Sequence, residues 1–155
     1  MASYMVAVHK HSQRAVVIGG VVIKVQAPTM PAEWADYYGA QITEGVAIVY
    51  KAVRGDLRSA RGFQYALGAT AEAADWDDGR VECGGGLHFS PTPLHALSFD
   101  SAATRFLACP VALADMRAPH ALDQYPEKIK ARRICGPIYE VDRYGKPVVE
   151  KEERR

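Results

Sequence analysis

The sequence lacks the features that mark membrane, secreted and strongly charged proteins. No apolar run among the 155 residues reaches the ~18 that a membrane-spanning helix needs. The N-terminus has no basic stretch followed by an apolar segment, so we expect no secretory signal. The net charge is only +1, which gives no overall field that would attract nucleic acid or an anionic membrane.

Paired cysteines and familiar cofactor motifs are also missing. Cys83, Cys109 and Cys135 are odd in number and include no C-x-x-C pair, so we predict a reduced, cytoplasmic setting and no zinc centre. The glycine run at 84–86 matches neither a P-loop nor a dinucleotide fingerprint. The acidic segment 72–82 has no calcium-loop spacing. Because all of these motifs are missing, the sequence predicts no metal and no cofactor.

What is present is the composition of an ordinary globular domain. Apolar residues make up 48% of the chain and charged residues 24%, which suffices for a core without disulfides or metals. We predict a single α+β domain, with a strongly bent, mostly antiparallel sheet and two or three short helices. It spans residues 1–145, and the charged residues 146–155 are expected to form a mobile tail.

We predict that residues 1–45 form a hairpin unit and one helix, and that residues 46–145 form the core of the domain. Gly19-Gly20 lies between the β-branched runs 16–18 and 21–23, which is typical of an antiparallel hairpin with a two-residue turn.

A short helix is expected to begin at Pro31 and to end near Tyr38, before Gly39. Trp34, Tyr37 and Tyr38 share one face of it. That face packs onto the sheet or, alternatively, stacks on a base.

The core contains two long predicted strands. Residues 46–53 are almost continuously apolar, which favours a central strand. Lys51 interrupts this run and must either extend to water or bind an anion. Residues 104–113 form the second strand, in which Pro110 requires an edge position or a bulge. A shorter strand is expected at 62–65.

Residues 83–100, CGGGLHFSPTPLHALSFD, form the most informative stretch. They predict a glycine loop, a strand carrying His88, a polar turn and a helix capped by Thr92 with Pro93 at its first position. Such a turn gathers free N–H groups, hydroxyls and a histidine, and similar turns bind anions. The same arrangement also joins a strand to a helix without any ligand, and this alternative stays open.

A basic segment at 127–134 alternates charged and apolar residues. Lys128, Lys130 and Arg132 are expected on one exposed face of a strand, with Arg133 beside them. Such a stripe can follow a phosphate backbone, so nucleic-acid binding is one hypothesis. Charges on an edge strand also protect against aggregation, which is the alternative.

Five short motifs follow one another between residues 47 and 135: VYKAV, RGFQYALG, CGGGLHFSPTPLHALSF, RFLACPVAL and KIKARRI. Their succession resembles a family of small, mostly uncharacterised proteins of phages and prophages. The resemblance implies a non-catalytic accessory protein in the cytoplasm of a bacterial host, binding a partner protein or a nucleotide-like anion. A structural component of the virion is an alternative.

Two segments, GLHFSPTPLHAL and RFLACPVALADM, are also distantly similar to ADP-ribosyltransferases. The likeness implies an ADP-ribosyltransferase-like fold and a ligand cleft formed by Lys51, His88, Ser90 and Thr92. Lys51 stands at the first motif's arginine or histidine, and His88 at the tyrosine. NAD is the cofactor, and ADP-ribosyl transfer the alternative function, that this likeness implies. The family's catalytic glutamate has no equivalent in the basic strand, which favours a shared fold without catalysis.

Overall fold

Short antiparallel strands make up most of the fold, and two short helices accompany them, so the predicted α+β class is confirmed. The computed structural model describes residues 6–11, 14–79 and 81–149. In chain order its elements are β1 (Ala7–Lys10), β2 (Val21–Lys24), α1 (Pro31–Tyr38), β3 (Ile42–Thr43), β4 (Val46–Val53), β5 (Ala71–Glu72), β6 (Leu87–Phe89), α2 (Pro93–Leu97), β7 (Arg105–Ala112), a 3-10 turn (Leu113–Asp115), β8 (Ile129–Ala131), β9 (Arg133–Ile134) and β10 (Tyr139–Val141). None of the helices in these ranges is long and apolar enough to cross a membrane.

The main sheet has four strands in the order β10-β7-β4-β3, all antiparallel. Strand β4 has a neighbour on each side, so its predicted central position is confirmed. It pairs with β7 along its whole length, from Val46 opposite Ala112 to Val53 opposite Arg105. Val49 of β4 and Leu107 of β7 are fully buried, and they anchor the hydrophobic core on this pair.

Pro110 lies in β7, an inner strand that pairs with β4 in continuous register, so the predicted bulge does not form there. The predicted edge position is met only locally, on the side where the pairing with β10 has already ended. The ladder tolerates the proline because of its register. Ile48, opposite Pro110, donates its N–H to Gln41 O, so the backbone groups of this pair point away from each other. The missing N–H of Pro110 therefore faces the other side, where the pairing with β10 ends at Ala108. Its carbonyl accepts from Cys135 N at 2.9 Å.

Two small antiparallel pairs, β6–β8 and β5–β9, extend the core beyond the main sheet. Tyr50 and Ser90 exchange two backbone hydrogen bonds, of 2.8 and 3.0 Å, and so attach the end of β6 to β4. The strand predicted at 62–65 does not form. Only Gln64 pairs there, in an isolated bridge to Arg58, because this segment belongs to a tight turn.

The N-terminal unit is a parallel pair rather than the predicted antiparallel hairpin. Ala7 lies opposite Val21 and Lys10 opposite Lys24. Gly19 and Gly20 do adopt positive φ angles, 84° and 73°, as the turn signal requires. However, residues 16–18 before them form no strand, and β2 pairs with the earlier β1 instead. The turn chemistry was read correctly, but it does not decide which strand becomes the partner.

Helix α1 begins at Pro31 and ends before Gly39, which has a φ of 74°, so the predicted helix is confirmed. The indole of Trp34 is fully buried in the core, and its Nε1 donates to Pro126 O at 3.0 Å. The aromatic face therefore packs onto the rest of the fold. This accounts for Trp34 without any stacked base.

The ordered end of the chain lies beyond residue 145. Val148 N donates to Glu140 O at 3.0 Å, and Lys146 N donates to the carboxylate of Asp142. Residues 146–149 of the predicted tail are thus tied to β10. The remaining tail residues, 150–155, lie outside the described residues.

Candidate functional site

A cavity of about 560 Å³ opens beside β4 and β6. Its other walls come from the 59–65 turn, residues 73–75, the 83–86 loop, residues 96–100 and residues 125–128. Of the four residues predicted for a ligand cleft, Lys51, His88 and Ser90 line this cavity. Lys51 and His88 come together because Tyr50 and Ser90 join the two strands that carry them. The fourth predicted residue, Thr92, lies elsewhere.

Lys51 is partly buried in the cavity wall, and no carboxylate of the described residues pairs with it. Its Nζ donates to the backbone carbonyl of His88 at 2.9 Å. The pKa of the ammonium group is lowered to about 8, mainly by burial; Cys109 and Asp100 act to raise the pKa, and the charges of Arg61 and Lys128 act to lower it. The site thus holds a lysine whose charge is only weakly favoured.

His88 lies close to the same cations. Burial lowers the pKa of its imidazole to about 4, with further contributions from Lys51, Lys128 and Arg61. One ring nitrogen donates to the backbone carbonyl of Glu82. The other, Nε2, is buried and has no hydrogen-bond partner among the described residues. At neutral pH the ring is therefore uncharged, with Nδ1 as the donor and Nε2 as an acceptor.

The cavity carries an excess of positive charge. Lys51, Arg61 and Lys128, which we call the cationic cluster, all line it. None of the three pairs with a carboxylate among the described residues. Two carboxylates also line the cavity, but both have other partners. Asp75 accepts from Gly86 N at 3.1 Å, and Asp100 accepts from Arg54 at 3.4 Å.

Aromatic rings form much of the remaining wall. Phe99 and Tyr125 are in edge-to-face contact with 5.7 Å between ring centroids, and Phe63 and Tyr65 are similarly arranged at 4.9 Å. The Nζ of Lys128 lies 5.0 Å from the centroid of the Tyr125 ring and donates to Cys83 Sγ at 2.8 Å. A wall of this kind can accept the flat face of a ring.

The domain-of-unknown-function family DUF7666 matches residues 47–142, and these include every residue that lines the cavity. The chain belongs to this family. No curated protein and no solved structure shows significant similarity to it. The predicted membership of an uncharacterised family is thereby confirmed. The phage origin and the ADP-ribosyltransferase likeness stay predictions.

The glycine run of the DUF7666 domain serves close packing rather than an anion. A Cβ on Gly85 would overlap the backbone carbonyl of Asp75. Gly86 has a φ of 126°, and a Cβ there would lie 2.9 Å from Cγ of Lys130. The N–H of Gly86 is already bound to the Asp75 carboxylate. These glycines are needed because the loop lies directly on its neighbours.

Residues 81–86 form one wall of the cavity and are attached to the segment 124–130. The Glu82 carboxylate accepts from Gln124 N at 2.9 Å and from Tyr125 N at 2.7 Å. Lys130 Nζ donates to Val81 O at 3.1 Å. These contacts hold the wall over His88.

Thr92 does not belong to the cavity, contrary to the prediction. Its side chain caps α2, accepting from His95 N at 3.2 Å and contacting the His95 ring at 2.8 Å. It lines a separate depression of about 440 Å³ together with Tyr50 and Tyr144. The N-cap role was predicted correctly, and that role turns the hydroxyl towards its own helix.

The basic segment of the DUF7666 domain forms no exposed stripe, so the expected geometry was wrong. Lys130 is only 2% exposed and lies under the 81–86 wall, 5.5 Å from the ring of Trp76. The strand breaks at residue 132, because β8 pairs with β6 and β9 with β5. Arg132 then pairs with Glu72, and Arg133 with Asp115. The nucleic-acid hypothesis loses the geometric basis on which it was made.

Arg61, Lys128 and the aromatic wall were not predicted as parts of this site. Arg61, Tyr125 and Lys128 are far in sequence from His88, and only the folded chain brings them to it, whereas Phe99 belongs to the same 83–100 stretch as His88. A weak signal existed in Arg61, which opens the RGFQYALG motif. In the described ranges, no group of His, Cys, Asp or Glu is arranged to hold a metal ion.

We predict that stability falls as the pH is lowered from about 6.5 to about 4. The folded state holds His88 at a pKa of about 4, below the unfolded value of 6.5, so the unfolded chain takes up the proton first and gains in population. The loss attributable to His88 is roughly 3 kcal/mol over this range. Chemical denaturation at several pH values measures it.

His88→Asn should flatten this pH dependence, and His9→Asn, at an exposed position on β1, should leave it unchanged. Equal slopes for the wild type and His88→Asn would show that the imidazole is not held neutral by its surroundings.

Proposed function

We propose that this protein binds a nucleotide-like anion in the cavity. The observation that carries the proposal is the cationic cluster, in which three cations line one concave, aromatic-walled site and none of them pairs with a carboxylate in the described part of the chain. Small-molecule sites have this form, with an apolar lining and a few charged groups that fix the orientation of the ligand.

The cationic cluster favours the charged part of such a ligand. Lys51 and Lys128 are partly buried, and a phosphate bound between them restores the favourable environment that their ammonium groups lose on burial. Arg61 is exposed beside them and offers a planar, bidentate donor for phosphate oxygens. An anion is therefore expected to stabilise the folded state.

The aromatic wall favours a ring in the same ligand. Phe99 and Tyr125 present their rings close to Lys128, so that a base stacked on this wall keeps its phosphate within reach of the cluster. The combination of charge and flat apolar surface is the reason for proposing a nucleotide-like ligand over inorganic phosphate.

An accessory role in a phage or prophage, in the cytoplasm of a bacterial host, is the biological setting that we propose. It rests on the order of the sequence motifs. Binding of a partner protein belongs to the same proposal, and the cavity is where we expect a small anion to regulate it.

An NAD-dependent ADP-ribosyltransferase is the second candidate. It is favoured by the meeting of Lys51, His88 and Ser90, which the likeness to that family assigns to its motifs. It is disfavoured by the carboxylates, because no glutamate of the described residues lines the cavity. Glu140 instead pairs with Arg105 at 2.6 Å.

Calorimetric titration with AMP, ADP, NAD and inorganic phosphate tests the proposal. We expect a nucleotide to bind more tightly than phosphate and to raise the melting temperature. Lys51→Gln, Arg61→Gln and Lys128→Gln should each weaken binding by about 10-fold or more, since a hydrogen bond to a charged group is worth about 1.5–3 kcal/mol.

Lys24→Gln, at an exposed position on β2, is the control and should bind like the wild type. If no nucleotide binds, or if Lys24→Gln weakens binding as much as the three cluster variants, the cavity is not the site. Mass spectrometry of the NAD sample shows whether nicotinamide is released, which would favour the transferase.

A further inference from the structure

Lys51 is an unusual residue for a site that only holds an anion. It lies on the inner strand β4, where apolar side chains are the rule, and its single hydrogen bond among the described residues goes to an uncharged carbonyl. Two other cations line the same cavity. An arrangement of this kind makes the ammonium form costly and the free amine accessible.

A free amine in a cavity is a nucleophile towards carbonyl carbon. Enzymes that use lysine in this way activate it by an apolar pocket or a neighbouring cation, and Lys51 has both. At a pKa of about 8, roughly a tenth of the Lys51 side chains are uncharged at pH 7. An ordinary exposed lysine, with a pKa of about 10.4, is almost never uncharged there.

Arg61 and Lys128 supply the other half of the site. They line the same cavity as Lys51, and neither pairs with a carboxylate among the described residues. A phosphate held by these two side chains places the rest of a small ligand against Lys51 and the aromatic wall.

We propose that Lys51 forms an imine with a phosphate-bearing aldehyde whose phosphate is held by Arg61 and Lys128. This inference rests on the proposed function, because it uses the same cavity and the same anion site. The class includes open-chain sugar phosphates and phosphorylated aromatic aldehydes.

The step is a condensation and needs no oxidant or reductant. The lone pair of Nζ attacks the aldehyde carbon while the carbonyl electron pair moves to oxygen, which takes up a proton. The resulting carbinolamine loses the oxygen as water, and the nitrogen loses its remaining proton or keeps it as an iminium. Amine and aldehyde thus give imine and water, and hydrolysis reverses the step.

Reductive trapping tests the inference. The full chain is incubated with pyridoxal 5′-phosphate, ribose 5-phosphate or, as the phosphate-free comparison, pyridoxal, and the imine is reduced with cyanoborohydride. Intact mass and peptide mapping then locate the label. We expect Lys51 to be labelled at least about 10-fold faster by pyridoxal 5′-phosphate than by pyridoxal. Ribose 5-phosphate shows whether an open-chain sugar phosphate is accepted as well as an aromatic aldehyde.

Variants separate the roles of the residues. Lys51→Arg keeps a cation but has no primary amine at this position, so it should lose the label. Arg61→Gln and Lys128→Gln should label at the slower rate of pyridoxal. Lys24→Gln should label like the wild type.

Label spread evenly over Lys51, Lys24 and Lys146, or a rate that does not depend on the phosphate, would overturn the inference. If a nucleotide binds but no label is trapped at Lys51, the imine inference is overturned and the proposed function stands. If neither nucleotide binding nor trapping is observed, both the inference and the proposed function are overturned.

Discussion

Replacing Gly85 by alanine is expected to lower the free energy of unfolding by about 3 kcal/mol, the upper part of the usual range for overpacking. The added methyl group overlaps the backbone carbonyl of Asp75, which cannot turn away as a side chain would. The loop must therefore move, and the contacts that hold the 81–86 wall are strained with it. Urea denaturation measures the change, and the melting temperature should fall by about 6–12 °C.

The neighbouring Gly84→Ala is the matched control. Its Cβ would lie 3.3 Å from the Val81 side chain, which can shift by a few tenths of an ångström, and 3.5 Å from Asp77 Oδ2, which is ordinary van der Waals contact. We expect a loss below about 1 kcal/mol. Similar losses for the two variants would mean that the loop adapts freely and that Asp75 does not fix its path.

Replacing Lys51 by methionine is expected to stabilise the protein by about 2 kcal/mol at pH 7, although it removes a residue of the binding site. Burial of the ammonium group costs roughly 3 kcal/mol, given a pKa of about 8 in the fold against 10.5 in the unfolded chain. The methionine variant also loses the hydrogen bond from Lys51 Nζ to His88 O, and this loss offsets about 1 kcal/mol of the gain in stability. Binding residues commonly carry such a cost in stability.

The pH dependence of the same pair of proteins gives an independent check. Between pH 8 and 10.5 the unfolded chain holds a proton on Lys51 that the folded protein has released, so wild-type stability rises with pH relative to Lys51→Met. The two stabilities should become equal near pH 10, and above it the wild type should be more stable by up to about 1 kcal/mol, because the burial cost of the ammonium group is gone and the hydrogen bond to His88 O remains. A methionine variant less stable than the wild type at pH 7 would show that the ammonium group has a favourable partner in solution.

Elements with a strong local signal could be predicted from the sequence. Pro31 and Gly39 define the ends of α1, and Thr92-Pro93 defines the start of α2, because capping depends on residues within one turn. The apolar run of β4 likewise predicts a central strand. In each case the element is determined by contacts within the segment itself or by burial in the core, and not by one particular distant residue.

Features that depend on a particular distant partner could not be predicted. The parallel β1–β2 pair is one, because the Gly19-Gly20 turn does not specify its partner strand. Lys130 is another, since alternation with Ile129 correctly predicts a strand, but only the 81–86 wall makes its face buried. The register that accommodates Pro110 is set by Ile48, far away in the sequence.

The candidate site was predictable to the extent that its residues share one motif or one strand end. His88 and Ser90 share the 83–100 stretch, Lys51 interrupts the apolar run of β4, and the likeness to ADP-ribosyltransferases joined the three into one predicted cleft. Arg61 and Lys128 were not linked to them, because the local sequence around a charged loop residue does not indicate which cavity the side chain lines. Thr92 was assigned wrongly because its hydroxyl had two possible roles, and the helix cap uses it.

The long excursion between β4 and β7 has a consequence for how this protein folds. Residues 54–104 lie between the nearest paired residues, Val53 and Arg105, so the central pair cannot form as a local hairpin. Closing this loop costs conformational entropy before the contacts between β4 and β7 can stabilise the chain, and this cost makes folding slow. Arg61 and the 81–90 segment lie inside the loop, so the cavity is completed only after closure. A bound ligand is therefore expected to slow unfolding and to leave the folding rate almost unchanged.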